Sequence, residues 1–252
     1  MAAPLVRPQR ERRPTAVRPW SDDALAAVRS DGGVLTTTTD APAGTAASTP
    51  TPRTVGWPAL LALAVLAGAL VGALTSFGQT LLGGTSFQGL ANAVSPWLVA
   101  SFLVGALARR PDAAAVAGLL TCAGQVAGYY LVADLRGFAV GSASIVLWTV
   151  AGLLGGPLLG VAGRLWRRGP SVGARWAGVG GALLAGCWLA EALVTYLVVL
   201  HRPDEALVFA AVGGLLVVLL GRGSERKALL TRLPLAAALG AAGFAVLHVA
   251  LG

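Results

Sequence analysis

The chain has 252 residues, of which 56% are hydrophobic, and it carries a formal net charge of +8. Only 12% of its residues are charged, whereas a soluble domain typically carries about 25%. The charges stand in short groups separated by apolar stretches of about 17–25 residues, the length that crosses the hydrocarbon core of a bilayer. This composition excludes an ordinary soluble domain and predicts an integral membrane protein that contacts the lipid bilayer.

Residues 1–54 precede the first apolar stretch and differ from the rest of the chain. Several arginines lie between residues 7 and 18, and the stretch from Gly32 to Thr54 is rich in Thr, Ala, Pro and Gly. Such a segment cannot bury enough apolar surface to offset the entropy of ordering it. We predict a disordered cytoplasmic tail over 1–54 and a transmembrane helical domain over 55–252. The apolar run begins too late for a signal peptide.

The apolar stretches predict an all-α fold, a polytopic transmembrane helical bundle with about seven spans. The predicted spans are 57–76, 92–108, 113–133, 138–162, 176–200, 206–221 and 233–251.

The basic residues predict the orientation of the bundle. With a cytoplasmic N-terminus, seventeen of the nineteen basic residues fall on the inner side, as the positive-inside rule requires. They lie in 7–53, 109–110, 164–175 and 222–232, whereas Arg136 and Arg202 fall outside. Because anchoring explains these arginines, we expect no nucleic-acid partner. The predicted location is the bacterial cell (inner) membrane.

Pairs of glycines recur with G-x-x-x-G spacing in three predicted spans. They are Gly68 and Gly72, Gly124 and Gly128, and Gly156 and Gly160. Small residues let helix backbones approach closely in lipid. We interpret them as helix-packing positions within one chain.

The segment from Thr75 to Ser95 is uncharged but too polar for a clean span, with Gln79, Gln88 and Asn92 along it. It fits an outer loop at the membrane interface or a short re-entrant element shielded by protein. No second apolar half-span is evident, which favours the interfacial interpretation.

Glu191 is an acidic residue inside the fifth predicted span. Such a residue costs roughly 2.5–3.5 kcal/mol on insertion scales and usually faces a bundle interior or a cavity. It therefore indicates either a ligand or proton site, or a hydrogen-bonded carboxyl that fastens helices together.

Two polar stripes place candidate partners beside Glu191. Thr121, Gln125 and Tyr129 recur at i, i+4 and i+8 on the third span, and Glu191 and Thr195 continue a stripe that starts at Cys187. At the helical rise, Gln125 and Glu191 reach comparable depth. These five residues from Thr121 to Thr195 form the predicted polar intramembrane site, with Gln125 or Tyr129 hydrogen-bonded to Glu191.

Catalytic and metal-binding patterns are absent from the sequence. It contains no HExxH, Walker loop or GxSxG motif, and its two cysteines form no CxxC pair. We expect no enzyme activity, no catalytic residue, no metal and no cofactor.

Past the tail, several motifs carry a resemblance to a known family. They include Asn92, Trp97, Gly105 with Arg109 and Arg110, and the GQVAGYY run from Gly124 to Tyr130. On these residues, roughly 57–250 of the chain resembles an uncharacterised family of multi-pass membrane proteins from actinobacteria, grouped under a domain of unknown function. The resemblance implies a membrane location and a helical fold, and it supplies no substrate.

Two function hypotheses follow. The first is a small-solute transporter or membrane-embedded solute-binding subunit that uses Glu191, Gln125 and Tyr129. The alternative is a structural or assembly protein without a small-molecule ligand. The sequence does not indicate which proteins the chain contacts.

Overall fold

A computed structural model describes residues 56–139, 141–223 and 225–251, and all regular secondary structure there is helical. The helices are α1 (Trp57–Leu81), α2 (Val94–Ala106), α3 (Pro111–Leu135), α4 (Ser142–Val172), α5 (Val179–Glu191), α6 (Pro203–Leu220) and α7 (Glu225–Leu251). Each predicted span overlaps one of them, which confirms the all-α class. The predicted tail over 1–54 lies outside the described residues.

Six helical segments are long and apolar enough to cross a membrane, so the chain is a multi-pass membrane protein. The exception is α2, which has 13 residues. At 1.5 Å per residue it is about 20 Å long, shorter than the roughly 30 Å of a hydrocarbon core. A short 3₁₀ turn, Gln88–Ala91, precedes it. Residues 82–93 contain no other regular helix, so the second predicted span does not form a helix long enough to cross the membrane by itself.

The predicted glycine pairs lie where helices meet. On α1, a Cβ added at Gly68 would overlap the backbone of Thr121, and one at Gly72 would overlap the backbone of Gln125. On α3, a Cβ added at Gly128 would overlap the backbone of Ala69. The parallel helices α1 and α3 thus touch backbone to backbone, which confirms the packing interpretation.

Glycine also allows a close approach at the start of α5. Gly178 precedes the helix with φ 72°, in the left-handed region, where a side chain is strained. A Cβ there would also overlap the backbone of Leu229 in α7. The turn before α5 can therefore lie directly against α7.

Basic residues of α4, of α7 and of the connections before α3 and α5 lie together at one end of the bundle, called here the basic end. Arg164 Nε donates to the Arg109 carbonyl at 3.2 Å, and Arg232 Nη2 donates to the Arg175 carbonyl at 2.9 Å. At the other end, called the opposite end, Arg136 donates to Ser76 and to Thr80 of α1. The basic residues of 109–110, 164–175 and 222–232 therefore lie at the same end, as the sequence predicts. That this end faces the cytoplasm stays a prediction.

Candidate functional site

Glu191 caps the N-terminus of α2. Its Oε1 accepts the N–H of Val94 at 2.9 Å, and its Oε2 accepts the N–H of Ser95 at 2.8 Å. The first N–H groups of a helix have no intrahelical acceptor, and Ala93 at the N-cap offers no side-chain oxygen. A carboxylate also interacts favourably with the positive end of the helix dipole. The buried acidic residue, 2% exposed, therefore supplies a cap that α2 lacks in its own sequence.

The local structure of α5 presents Glu191 to α2. The α-helix ends at this residue and continues as a π-helix over Ala192–Val199. One turn before it, Cys187 Sγ lies 3.4 Å from Ser95 Oγ. Both side chains of this stripe therefore contact the first turn of α2. π-Helical segments are rare and often occur at functional sites.

The predicted hydrogen bond from Gln125 or Tyr129 to Glu191 is wrong. Gln125 Nε2 instead donates to the Trp97 carbonyl at 2.9 Å, and the Tyr129 hydroxyl donates to Gln79 Oε1 at 2.8 Å. The physical reason is that the first turn of α2 stands between α3 and α5. Gln125 and Glu191 both bond to its backbone and not to each other.

The other two predicted site residues also bond elsewhere. Thr121 Oγ1 donates to the Ala117 carbonyl within α3 at 2.8 Å. Thr195 Oγ1 lies 3.0 Å from His248 Nε2 of α7. Thr195 lies in the π-helix that follows α5, and its contact with His248 joins that π-helix to α7.

The segment before α2 enters the bundle. Residues 82–88 are largely exposed, whereas Gly89, Ala91 and Ala93 are buried. The Tyr196 hydroxyl donates to the Gly89 carbonyl at 3.2 Å. Gly89, Ala91 and Ala93 are thus shielded by protein, as a re-entrant element requires, whereas Asn92 and most of residues 82–88 are exposed, as in an interfacial loop. Whether the segment is interfacial or re-entrant stays a prediction.

A buried acidic residue of α6 packs against the same segment. Glu205, 5% exposed, accepts a hydrogen bond from Arg202 Nη1 at 2.7 Å. This carboxylate raises the pKa of the Arg202 guanidinium. A Cβ added at Gly89 would crowd Glu205 Oε2 and the Tyr196 hydroxyl. Glycine at this position lets the 3₁₀ turn approach α5 and α6.

Replacing Tyr196 by phenylalanine is expected to lower the free energy of unfolding by about 1 kcal/mol, the usual net value of one hydrogen bond. The variant loses the donor to the Gly89 carbonyl while keeping the ring. The thermal midpoint of the protein in nanodiscs measures the effect. Tyr130→Phe is the control, because the Tyr130 hydroxyl has no hydrogen bond to any described residue. Equal midpoints for the two variants would contradict this role of Tyr196.

A cavity of about 350 Å³ lies at the opposite end, between α1, the segment before α2, α3 and α4. Among the described residues that line it, none has a charged side chain. Its uncharged polar side chains are Thr75, Gln79, Asn92 and Ser144, and its aromatic side chains are Trp97, Tyr129, Tyr130, Phe138 and Trp148. Such a mixture of aromatic walls and a few polar groups is typical of small-molecule sites.

The aromatic wall of the cavity is built from rings in mutual contact. Trp97 lies 5.3 Å from Trp148 and 6.1 Å from Tyr129, and Tyr129 lies 4.9 Å from Tyr130, measured between ring centroids. The Trp97 indole Nε1 donates to Thr75 Oγ1 at 3.2 Å. These contacts hold the wall in place without a ligand.

The polar wall is also linked internally. Gln79 accepts from the Tyr129 hydroxyl and donates to Oδ1 of Asn92, with a further contact of 3.4 Å to the Ala91 carbonyl. The segment before α2 is thereby tied to α1 and α3. The cavity and the cap of α2 are structurally linked. Residues 91–93 line the cavity, and the capped residues Val94 and Ser95 follow them directly.

A family model described as "Family of unknown function (DUF6518)" matches residues 51–252. The chain belongs to DUF6518. The match confirms the resemblance to a family grouped under a domain of unknown function. No curated protein and no solved structure matches the chain.

In this DUF6518 member, three of the five predicted site residues fall into two groups, and Thr121 and Thr195 belong to neither. Tyr129 lines the cavity, whereas Gln125 and Glu191 hold the first turn of α2, which carries Trp97. Sequence reasoning missed the cavity itself and its indole wall. The polarity of the segment that contains Gln79 and Asn92 indicated a polar environment. The sequence did not show which helices, α3 and α4, would complete the cavity around it.

The described part of the DUF6518 chain also has an apolar groove of about 470 Å³. It lies between α4 and α7, with Val94, Leu98 and Cys187 of α2 and α5 at its floor. Among the described residues, no group of three His, Cys, Asp or Glu side chains is placed to hold a metal ion.

Proposed function

We propose that the protein binds a small solute in the cavity at the opposite end, as a transporter or as a membrane-embedded solute-binding subunit. The observation that carries the proposal is the cavity of about 350 Å³ lined by uncharged polar and aromatic side chains. With the predicted orientation in a bacterial cell membrane, it faces the outside of the cell.

The energetics of the membrane support this assignment. Polar side chains inside a bundle are costly unless they are hydrogen-bonded. If these helices only had to pack against one another, apolar side chains would fill the space between them. Instead Gln79, Asn92 and Tyr129 line an open cavity. A discontinuous crossing beside a polar site is also a feature of transporter folds, and α2 with residues 82–93 has that form.

A structural or assembly role is the second candidate, and the apolar groove between α4 and α7 favours it. The groove contains small residues of both helices, among them Gly155 and Gly240. Small residues allow close helix contact in lipid. The absence of enzyme activity, cofactor and nucleic-acid partner stays a prediction under either candidate.

Filling the cavity tests the proposal. Wild type and Ser144→Trp in nanodiscs are compared by thermal midpoint in the presence of sugars, polyols, amino acids, organic cations and carboxylates. Ser144 is exposed and lines the cavity. We expect at least one solute to stabilise the wild type, by about 2.7 kcal/mol at a hundredfold excess over Kd, and to leave Ser144→Trp unchanged.

Thr149→Trp is the matched control. Thr149 is also an exposed hydroxyl residue of α4, but it lies outside the cavity, so the solute should still stabilise this variant. If no solute stabilises the wild type, or if one stabilises Ser144→Trp equally, the solute-binding proposal is wrong and the assembly role is favoured.

A further inference from the structure

We propose that the solute is an uncharged polyhydroxylated molecule, a sugar or a polyol, which stacks on the indole wall of the cavity. This inference rests on the proposed function, because it assigns a substrate class to the same cavity.

The electrostatics of the cavity favour a neutral solute. No charged side chain lines it in the part of the chain that the structure describes. The positive end of the α2 dipole is not free for an anion, because the Glu191 carboxylate occupies it. A cation is disfavoured by the Arg136 guanidinium, which lies 4.8 Å from the centroid of the Phe138 ring in the cavity wall.

The aromatic wall fits the apolar face of a sugar ring. Trp97 and Trp148 meet at 5.3 Å between ring centroids and both line the cavity. Indole rings are large, rigid apolar surfaces that lose little conformational entropy on binding. The C–H face of a pyranose or cyclitol ring can be desolvated against them while its hydroxyl groups point to the other wall.

The polar wall matches hydroxyl groups, which both donate and accept hydrogen bonds. The amides of Gln79 and Asn92 each offer donors and an acceptor. Asn92 Nδ2 makes only a long contact of 3.5 Å to the Gln88 carbonyl, and the Tyr130 hydroxyl has no partner among the described residues. These groups are available to a solute without breaking the bonds that hold the segment before α2.

The size of the cavity limits the solute. A volume of about 350 Å³ lies at the lower end of the range for ligand sites, roughly 300–1,000 Å³. It therefore suits a molecule of one or two small rings and not a long oligosaccharide. An amino acid fits less well, because no charged group in the wall could pair with its ammonium or carboxylate.

Ligand-observed NMR on the full chain in nanodiscs tests the substrate class. The probes are glucose, trehalose, myo-inositol and glycerol, compared with choline, glycine betaine and acetate. We expect saturable binding of at least one neutral probe and none of choline, glycine betaine or acetate. Trp148→Leu should weaken that binding at least about tenfold, whereas Trp57→Leu, an exposed indole at the basic end, should not.

Tyr130→Phe provides a second variant that keeps the packing of the wall. It should weaken binding of the neutral probe about three- to tenfold, the range for one hydrogen bond.

The outcomes separate the two proposals. If choline, glycine betaine or acetate binds, is blocked by Ser144→Trp, and no neutral probe binds, the substrate class is overturned and the solute-binding proposal stands. If no probe of any class binds, both proposals are overturned. Neutral-probe binding that Trp148→Leu leaves unchanged would overturn the stacking on the indole wall.

Discussion

Glu191→Ala is expected to lower the free energy of unfolding by about 2–6 kcal/mol, taking 1–3 kcal/mol for each buried donor that loses its acceptor. The two donors are the backbone N–H groups of Val94 and Ser95. Backbone donors that lose their acceptor inside a membrane-embedded bundle are not resolvated by bulk water. The thermal midpoint in nanodiscs and the fraction of monodisperse protein after purification measure the effect.

Two further variants make this experiment specific. Glu191→Gln keeps the shape and one acceptor, so its midpoint should fall between those of wild type and Glu191→Ala. Asp134→Ala removes an exposed carboxylate at the end of α3 and should leave the midpoint unchanged. A wild-type midpoint for Glu191→Ala would show that α2 does not need this cap.

Gly72→Ala is expected to destabilise the protein by about 1–3 kcal/mol or more, the range for overpacking a close contact. The added methyl group would overlap the Gln125 carbonyl, and a backbone cannot move aside as a flexible side chain can. Helices α1 and α3 must therefore separate. Chemical unfolding in mixed micelles, followed by circular dichroism, measures the loss.

Gly214→Ala on α6 is the matched control, because nothing lies within 4 Å of a Cβ added there. Without a clash, the change from glycine to alanine favours the helix by up to about 1 kcal/mol. The prediction for Gly72 fails if the two variants unfold at the same denaturant concentration.

Most of the fold could be predicted from the hydropathy of the chain and the distribution of its charges. Each predicted span overlaps a helix, and the glycine pairs predicted to pack helices do so at Gly68 and Gly72. Both features can be recognised from one stretch of sequence. A span is recognised by the hydropathy of its own residues, and a packing position is recognised by the glycine spacing within one helix. The second predicted span, 92–108, departs from this pattern, since its helix Val94–Ala106 has only 13 residues and is too short to cross the membrane by itself.

The partner of Glu191 could not be predicted, because it is backbone. The sequence singled out Glu191 and Gln125 as buried polar residues at similar depth, but each bonds to main-chain atoms of α2 that no side-chain pattern marks. The cavity was missed for a related reason. Its walls come from α1, α3, α4 and the segment before α2, so only their relative positions reveal it. Tyr129 was included only because it shares a stripe with Gln125.

The cap of α2 also bears on how the protein is made. Val94 and Glu191 lie 97 positions apart in the chain, so α1 to α4 are synthesised before the carboxylate exists. Until then the nascent chain holds a helix too short to cross the membrane, with two backbone donors lacking their final acceptor. We therefore expect α2 to reach its final position only after the fifth helix has been inserted, and a chain truncated before Glu191 to lack this cap.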